Sequence, residues 1–217
     1  MALLQEKDRE YIRQLFGTLP NEVKLIYFTQ EIECQYCRET HQILEEVSAL
    51  SDRINLEVYN FVNDKEQVEK YKIDKIPATV IEGQRDYGIR YYGIPSGYEF
   101  SSVLEDIVDV SRGESGLSPE SKEMLKEITR PLLLQVYVTP TCPYCPRAVR
   151  LAHKIAIENE HVTADMVEAT EFPHLSMRYN VRGVPRTMVG DDFPIEGALP
   201  ENAYIQKIIG SYKQMYQ

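Results

Sequence analysis

All four cysteines of this 217-residue chain lie in two Cys-x-x-Cys pairs. The first pair is Cys34 and Cys37, and the second pair, 108 residues further along, is Cys142 and Cys145. Two cysteines at this spacing can alternate between a dithiol and a disulfide, because a thiolate attacks a substrate disulfide and the neighbouring thiol then resolves the mixed disulfide. The two pairs therefore predict two redox-active centres.

A proline motif repeats at the same offset as the cysteines. Ile76-Pro77-Ala78-Thr79 follows the first pair, and Val184-Pro185-Arg186-Thr187 follows the second. Tyr71 and Tyr179 repeat in the same register. A chemical site that occurs twice in register indicates an internal duplication, and the chain length suits two domains of about a hundred residues each.

The predicted domain boundaries are 1–116 and 117–217. Residues 112–116 contain two glycines, which favours a linker, and Ser118-Pro119 is typical of a helix start. Both halves show the same predicted order of elements, namely helix, strand, helix, strand, helix, strand, strand, helix. Strands joined by a helical crossover should be parallel, and the strands of the closing hairpin antiparallel.

The cysteine pairs occupy equivalent places in the two halves. Buried strands over Val23–Thr29 and Leu132–Thr139 lead to them, and a helix follows each pair. The first cysteine of each pair should lie just before a helix N-terminus, where free N–H groups and the helix dipole stabilise a thiolate. We therefore expect the first cysteine of each pair to attack substrates and the second to resolve the mixed disulfide.

This arrangement resembles a known family. A strand, a Cys-x-x-Cys pair, a helix and then an apolar residue before proline, 40 positions after the second cysteine, form the thioredoxin pattern. Two tandem copies resemble the two-domain protein disulfide oxidoreductases, which are glutaredoxin-like, similar to a shortened protein disulfide isomerase, and known mainly from thermophilic archaea and bacteria. The resemblance implies an α/β fold of two tandem thioredoxin-like domains, each with a central mixed sheet of about four strands flanked by helices.

The resemblance also implies the substrate-binding groups. The Ile76–Pro77 and Val184–Pro185 peptides should be cis, and each proline should face its dithiol. The backbone of the residue before each proline would then pair with an extended substrate segment. Tyr36 and Tyr144, inside the two cysteine motifs, are either merely exposed aromatics or a rim that grips a substrate peptide.

The implied activity is dithiol–disulfide exchange with protein substrates, in the direction of a reductase, an oxidase or an isomerase. No bound cofactor or metal is expected. The implied electron donor is a thioredoxin-reductase-like flavoprotein, and the implied recipients are peroxiredoxins or folding substrates. Two alternatives stay open: a glutathione-dependent enzyme, which the CPYC sequence of the second motif permits, and a binding or chaperone module whose cysteines are incidental.

The two centres should be unequal because their surroundings differ in charge. Residues 1–118 carry 13 basic and 22 acidic side chains, whereas residues 119–217 carry 11 and 12. Three glutamates flank Cys34 and two arginines follow Cys142, namely Glu31, Glu33 and Glu39, and Arg147 and Arg150. Since nearby negative charge disfavours a thiolate, we expect the Cys142 thiolate to form more readily and the C-terminal centre to dominate turnover.

The proton-transfer group is not identified by sequence. Many thioredoxins carry a buried acid six residues before the first cysteine, where this chain has Phe28 and Val136. His41 and His153 lie in the helices after the two centres. Surface positions are the commoner outcome for such histidines, and proton transfer is the alternative.

Composition excludes several classes. The net charge is −10 and no basic stripe occurs, so nucleic acid is not an expected partner. No apolar run is long enough to span a bilayer, and the N-terminal sequence lacks a secretory pattern, so we expect no membrane association and a cytoplasmic location. A zinc site is disfavoured because 104 residues separate Cys37 from Cys142, far more than usual between zinc-binding pairs.

Overall fold

The computed structural model describes residues 3–216. We call the elements up to residue 112 the N-terminal half and those from residue 119 the C-terminal half. The N-terminal half contains α1 Glu6–Phe16, β1 Val23–Thr29, α2 Cys37–Ser48, β2 Ile54–Asn60, α3 Lys65–Tyr71, β3 Ala78–Glu82, β4 Asp86–Tyr92 and α4 Glu99–Arg112. The C-terminal half contains α5 Pro119–Leu125, β5 Leu132–Val138, α6 Cys145–Glu158, β6 Val162–Glu168, α7 Pro173–Arg178, β7 Arg186–Val189, β8 Phe193–Glu196 and α8 Glu201–Met215.

The strands of both halves form one mixed sheet, in the order β2-β1-β3-β4-β6-β5-β7-β8. As predicted, β1–β2 and β5–β6 are parallel, and the hairpins β3–β4 and β7–β8 are antiparallel. The halves join where β4 pairs in parallel with β6, with Tyr92 opposite Val167. Each half thus supplies the expected four strands. The two sets of strands form one continuous sheet, because β4 pairs with β6 and neither of these strands is left with an unpaired edge.

Alternating side chains divide the interior into two layers. Leu25 and Tyr27 of β1 belong to the larger apolar cluster, together with residues of the long helices α1, α2, α4, α6 and α8. Ile26 and Phe28 point to the opposite face, where residues of α3 and α7 complete a smaller cluster. The helices that begin at the cysteine pairs, α2 and α6, therefore lie on the same face of the sheet.

A buried polar cluster fixes α4 of the N-terminal half against α6 of the C-terminal half. Asp106 of α4, which has no exposed surface, contacts the hydroxyl of Tyr91, the guanidinium of Arg150 and Nδ1 of His153, the last at 2.5 Å. His153 is itself fully buried, so the expected surface position is wrong for this residue, because α4 covers that side of α6. His41 of α2, in contrast, remains partly exposed.

No helix within residues 3–216 has both the length and the apolar character needed to cross a bilayer.

Candidate active site

The N-terminal centre lies where β1 ends and α2 begins. A disulfide joins Cys34 to Cys37, whose Cα atoms are 5.5 Å apart. Cys37 is the first residue of α2 and is buried, whereas Cys34 lies in the preceding loop and is partly exposed. The cysteine predicted to attack is thus the more accessible member of the pair.

The C-terminal centre repeats this geometry between β5 and α6. A disulfide joins Cys142 to Cys145, again with 5.5 Å between the Cα atoms. Cys145 begins α6 with no exposed surface, and Cys142 is 8% exposed. The Cys142 sulfur lies 3.7 Å from the Val184 carbonyl oxygen, so the residue before the second proline faces this dithiol.

Both predicted cis peptides are confirmed, at Ile76–Pro77 and at Val184–Pro185. The same backbone hydrogen bond supports both proline loops. Gly93 N–H donates to the Pro77 carbonyl and Gly197 N–H donates to the Pro185 carbonyl, each at 2.9 Å. The segment after each hairpin is therefore fastened to the loop that faces the cysteines.

The strand leading to the N-terminal centre is offset by one residue from its counterpart. Tyr27 pairs with Thr79 and Val136 pairs with Thr187, so Tyr27 and Val136 are structurally equivalent, although they are 109 residues apart. The extra residue lies in the loop before Cys34, where Glu33 adopts a left-handed conformation with φ 60°. Phe28, which is six residues before Cys34 in sequence, faces the opposite side of the sheet from Tyr27.

The two centres lie at the same end of the strands, because β1 and β5 run in the same direction and each centre follows the last residue of its strand. Going from β1 to β5 crosses β3, β4 and β6, which is four strand spacings or about 19 Å. Dithiol–disulfide exchange requires sulfur atoms in contact, so the centres do not exchange electrons directly in this arrangement. A zinc site would need all four cysteines together, and this separation prevents that.

The motif tyrosines differ in exposure. Tyr144 is 70% exposed and Tyr36 is only partly exposed. Both immediately precede the first helical residue and so flank the cysteines. A role as a substrate-gripping rim stays a prediction.

A carboxyl that sequence reasoning missed lies at the start of α4, which packs against the loop before Cys142. Glu99, the first residue of α4, is 1% exposed, and burial raises the pKa of its carboxyl to about 7. Its Oε2 accepts a hydrogen bond from Ser102 at 2.8 Å, while Oε1 has no partner among the described residues. Tyr98 N–H donates to the Pro140 carbonyl at 3.1 Å, which holds the start of α4 against the loop before Cys142. Because Glu99 belongs to the N-terminal half, no local sequence pattern connects it with the C-terminal centre.

Two further missed carboxyls, those of Glu168 and Glu171, lie beside the N-terminal proline loop. Glu171 Oε1 accepts a hydrogen bond from Ile94 N–H at 2.6 Å, next to the Gly93 residue that binds Pro77. Burial, reinforced by the negative charge of Glu168, raises the pKa of Glu171 to about 7. The C-terminal half thus places the buried Glu168 and the half-buried Glu171 beside the N-terminal proline loop.

A model of the thioredoxin domain family matches residues 22–105 and 132–210, which together are most of the chain. The chain belongs to the thioredoxin domain family. The two matched segments coincide with the two copies of the fold, so the tandem arrangement inferred from the repeat is confirmed.

The chain is also similar to solved and curated proteins. A protein disulfide oxidoreductase from Aeropyrum pernix is 26% identical, with 97% of this chain and 94% of that chain covered and a TM-score of 0.90. The NTD_N/C domain of alkylhydroperoxide reductase AhpF from Enterococcus faecalis is 25% identical, with 94% and 99% covered and a TM-score of 0.87. The AhpF component of alkyl hydroperoxide reductase from Staphylococcus aureus is 24% identical over 191 residues, 85% of this chain and 34% of that protein.

The chain spans about a third of the length of the curated relatives it matches. Each of the two segments matched by the thioredoxin model contains one Cys-x-x-Cys disulfide. Within residues 3–216, no group of three or more histidine, cysteine, aspartate or glutamate side chains is placed to hold a metal ion.

The charges around the two thioredoxin centres differ from the sequence expectation. Arg150 does not serve the Cys142 thiolate, because its guanidinium binds Asp106, Glu105 at 3.2 Å and Asp109 at 2.5 Å. Arg147 remains exposed near this centre. At the N-terminal centre the carboxyls from the C-terminal half add to the acidic residues already visible in sequence.

Proposed function

We propose that the protein exchanges dithiols and disulfides with protein substrates at both of its centres. The observation that carries this proposal is the duplicated geometry, in which a loop cysteine is disulfide-bonded to a more deeply buried cysteine at a helix start. A strand-to-helix junction of this kind favours the thiolate of the loop cysteine, which is the nucleophile in disulfide exchange.

In the reducing direction, the Cys142 thiolate attacks a substrate disulfide, forms a mixed disulfide and releases one substrate thiolate. The Cys145 thiolate then attacks the Cys142 sulfur and releases the second substrate thiolate. The substrate disulfide gains two electrons, and the Cys142–Cys145 dithiol becomes a disulfide. Cys34 and Cys37 perform the same steps at the N-terminal centre.

An extended substrate segment pairs with the backbone before each cis proline in this proposal. The 3.7 Å approach of the Val184 carbonyl to the Cys142 sulfur supports it, since a chain paired there lies next to the attacking atom. Ile76 and Pro77 take the equivalent role at the other centre, as Pro185 does beside Val184. The exposed ring of Tyr144 and the partly exposed ring of Tyr36 form the rim that contacts the substrate.

Glu99 is the proton acceptor that we propose for the C-terminal centre. Its pKa of about 7 and its Oε1 atom, which has no partner among the described residues, suit a group that takes and returns a proton near neutral pH. The C-terminal centre dominates turnover in this proposal, because Arg147 is close to it while Glu168 and Glu171 lie near the N-terminal one.

The similarity to the AhpF component of alkyl hydroperoxide reductases supports a role between redox proteins. We infer a thioredoxin-reductase-like flavoprotein as electron donor and a peroxiredoxin as one recipient, in the cytoplasm, with isomerisation of substrate disulfides as a further activity. The chain then comprises an N-terminal domain of residues 1–116 and a C-terminal domain of residues 117–217.

Trapping experiments test this function. A Cys145→Ser variant cannot resolve its mixed disulfide, so it should remain covalently bound to oxidised protein substrates and to an oxidised peroxiredoxin, detectable by non-reducing electrophoresis and mass spectrometry. Cys37→Ser should trap substrates at the N-terminal centre. Cys142→Ser/Cys145→Ser and Cys34→Ser/Cys37→Ser are the matched controls. Equal trapping at a centre with and without its attacking cysteine would contradict the proposal.

A further inference from the structure

The N-terminal centre has no carboxyl on the strand that leads to it. Tyr27 occupies the β1 position that faces α2, and its hydroxyl donates to the Cys37 carbonyl at 2.6 Å. A resolving thiol must lose a proton before it attacks, because the thiolate is the reactive form. Strand β1 therefore supplies no carboxyl to accept this proton.

Glu171 contacts the segment after β4 that holds the N-terminal proline loop. On one side its Oε1 accepts from Ile94 N–H at 2.6 Å, and a Cβ built on the adjacent Gly93 would come within 2.7 Å of the same oxygen. Gly93 in turn binds the Pro77 carbonyl. On the other side, the charge of Glu171 acts on Tyr27, the residue that is hydrogen-bonded to the first turn of α2.

Glu168 completes the arrangement. It is 1% exposed, and its Oε2 accepts from Glu171 N–H at 2.7 Å and from Thr170 Oγ1 at 2.6 Å. Its Oε1 is buried without a partner among the described residues. Burial, together with the charge of Glu168, raises the pKa of Glu171 to about 7, so Glu171 can bind a proton near neutral pH.

We propose that Glu171, supplied by the C-terminal half, is the group that exchanges a proton with Cys37 during turnover of the N-terminal centre. This inference rests on the proposed disulfide exchange at that centre. The Glu171 carboxylate takes the thiol proton of Cys37, and the thiolate attacks the Cys34 sulfur of the mixed disulfide. The Cys34–Cys37 bond forms, the bond from Cys34 to the substrate breaks, and the departing substrate thiolate takes the proton back.

The surrounding charges favour this assignment. From β1, Tyr27 faces Glu171 with a phenol whose pKa burial raises well above its usual value, so it does not ionise near neutral pH. From α2, Glu39 acts on the same phenol, and from β6, Glu168 acts on Glu171 itself. These neighbours, one phenol and two carboxyls, do not disfavour a proton on Glu171.

The test uses the full chain with Cys142→Ser and Cys145→Ser, so that only the N-terminal centre turns over. In this background, stopped-flow reduction of a peptide disulfide is followed from pH 5.5 to 9, with and without Glu171→Gln. Glutamine retains an oxygen for Ile94 N–H but cannot take a proton. Glu160→Gln is the matched control. Glu160 precedes β6 and Glu171 follows it, so the two glutamates lie at opposite ends of this strand, and the Glu160 side chain is 73% exposed.

We expect Glu171→Gln to slow the resolution step by at least about tenfold at pH 8 and to remove the rise in rate near pH 7. Glu171→Asp should restore part of that rise, and Glu160→Gln should leave the profile unchanged. A Glu171→Gln profile identical to that of the control would overturn the inference. An inactive background with Glu171 intact would instead contradict the proposed function of this centre.

A second measurement does not depend on turnover. In Cys34→Ser the Cys37 thiol is free, and its alkylation by iodoacetamide reports how readily it loses its proton. Glu171→Gln should shift the pH midpoint of this alkylation, whereas Glu160→Gln should not. Coincident midpoints in the two variants would show that Glu171 does not interact with Cys37.

Discussion

The polar cluster between α4 and α6 should contribute strongly to stability, and Asp106→Ala tests this. Asp106 has no exposed side-chain surface and contacts three polar groups, the Tyr91 hydroxyl, the Arg150 guanidinium and His153 Nδ1. Removing one partner of a buried charge pair costs about 3–5 kcal/mol, because the remaining charge stays buried. In a chain of this size that loss lowers the melting temperature by about 6–20 °C.

Glu105→Ala is the matched control for this prediction. Glu105 binds the same Arg150 guanidinium at 3.2 Å, but its side chain is 62% exposed. Ion pairs at the surface contribute at most about 1 kcal/mol, so this variant should stay close to the wild type. Urea unfolding followed by circular dichroism measures both values. A loss below about 1 kcal/mol for Asp106→Ala would refute the reasoning that the cluster joins the two halves.

Two further predictions concern the carboxyls at the junction. Gly93→Ala should destabilise the fold by about 1–3 kcal/mol more than the repeat-related Gly197→Ala in urea unfolding. Both glycines have positive φ, but a Cβ at Gly93 would lie 2.6 Å from Glu168 Cβ, whereas nothing lies within 4 Å at Gly197; equal losses would contradict this. Burial raises the pKa of Glu99 from 4.5 to about 7. The Glu99 carboxyl therefore lowers the free energy of unfolding as the pH rises from 4.5 to 7, and it has no such effect below pH 4.5. Relative to wild type, Glu99→Gln should gain about 3 kcal/mol in unfolding free energy between pH 4.5 and pH 8, and a constant difference would contradict the shift.

The sequence predicted those features that repeat within the chain or follow local rules. The cysteines, the proline motifs and the strand-helix order recur in register, and the structure confirms the resulting fold and both cis prolines. The start of α5 was also predictable, since Ser118 accepts a hydrogen bond from Ser121 N–H and Pro119 occupies the first turn.

Features that depend on how the halves meet could not be predicted. His153 was expected at a helix surface and is buried, because α4 of the other half covers that side of α6. Arg150 was expected to help the Cys142 thiolate and instead binds acids of α4. Glu99 and Glu171 are separated in sequence from the centres they approach, so no local pattern could identify them.

The most direct test of the central claim is insulin disulfide reduction with dithiothreitol, comparing wild type with Cys34→Ser and Cys142→Ser. Proposed catalysis at both centres, with the C-terminal one dominant, predicts that Cys142→Ser loses most of the activity, that Cys34→Ser keeps most of it, and that the double variant has none. Full activity in the double variant would contradict the claim that these dithiols are catalytic.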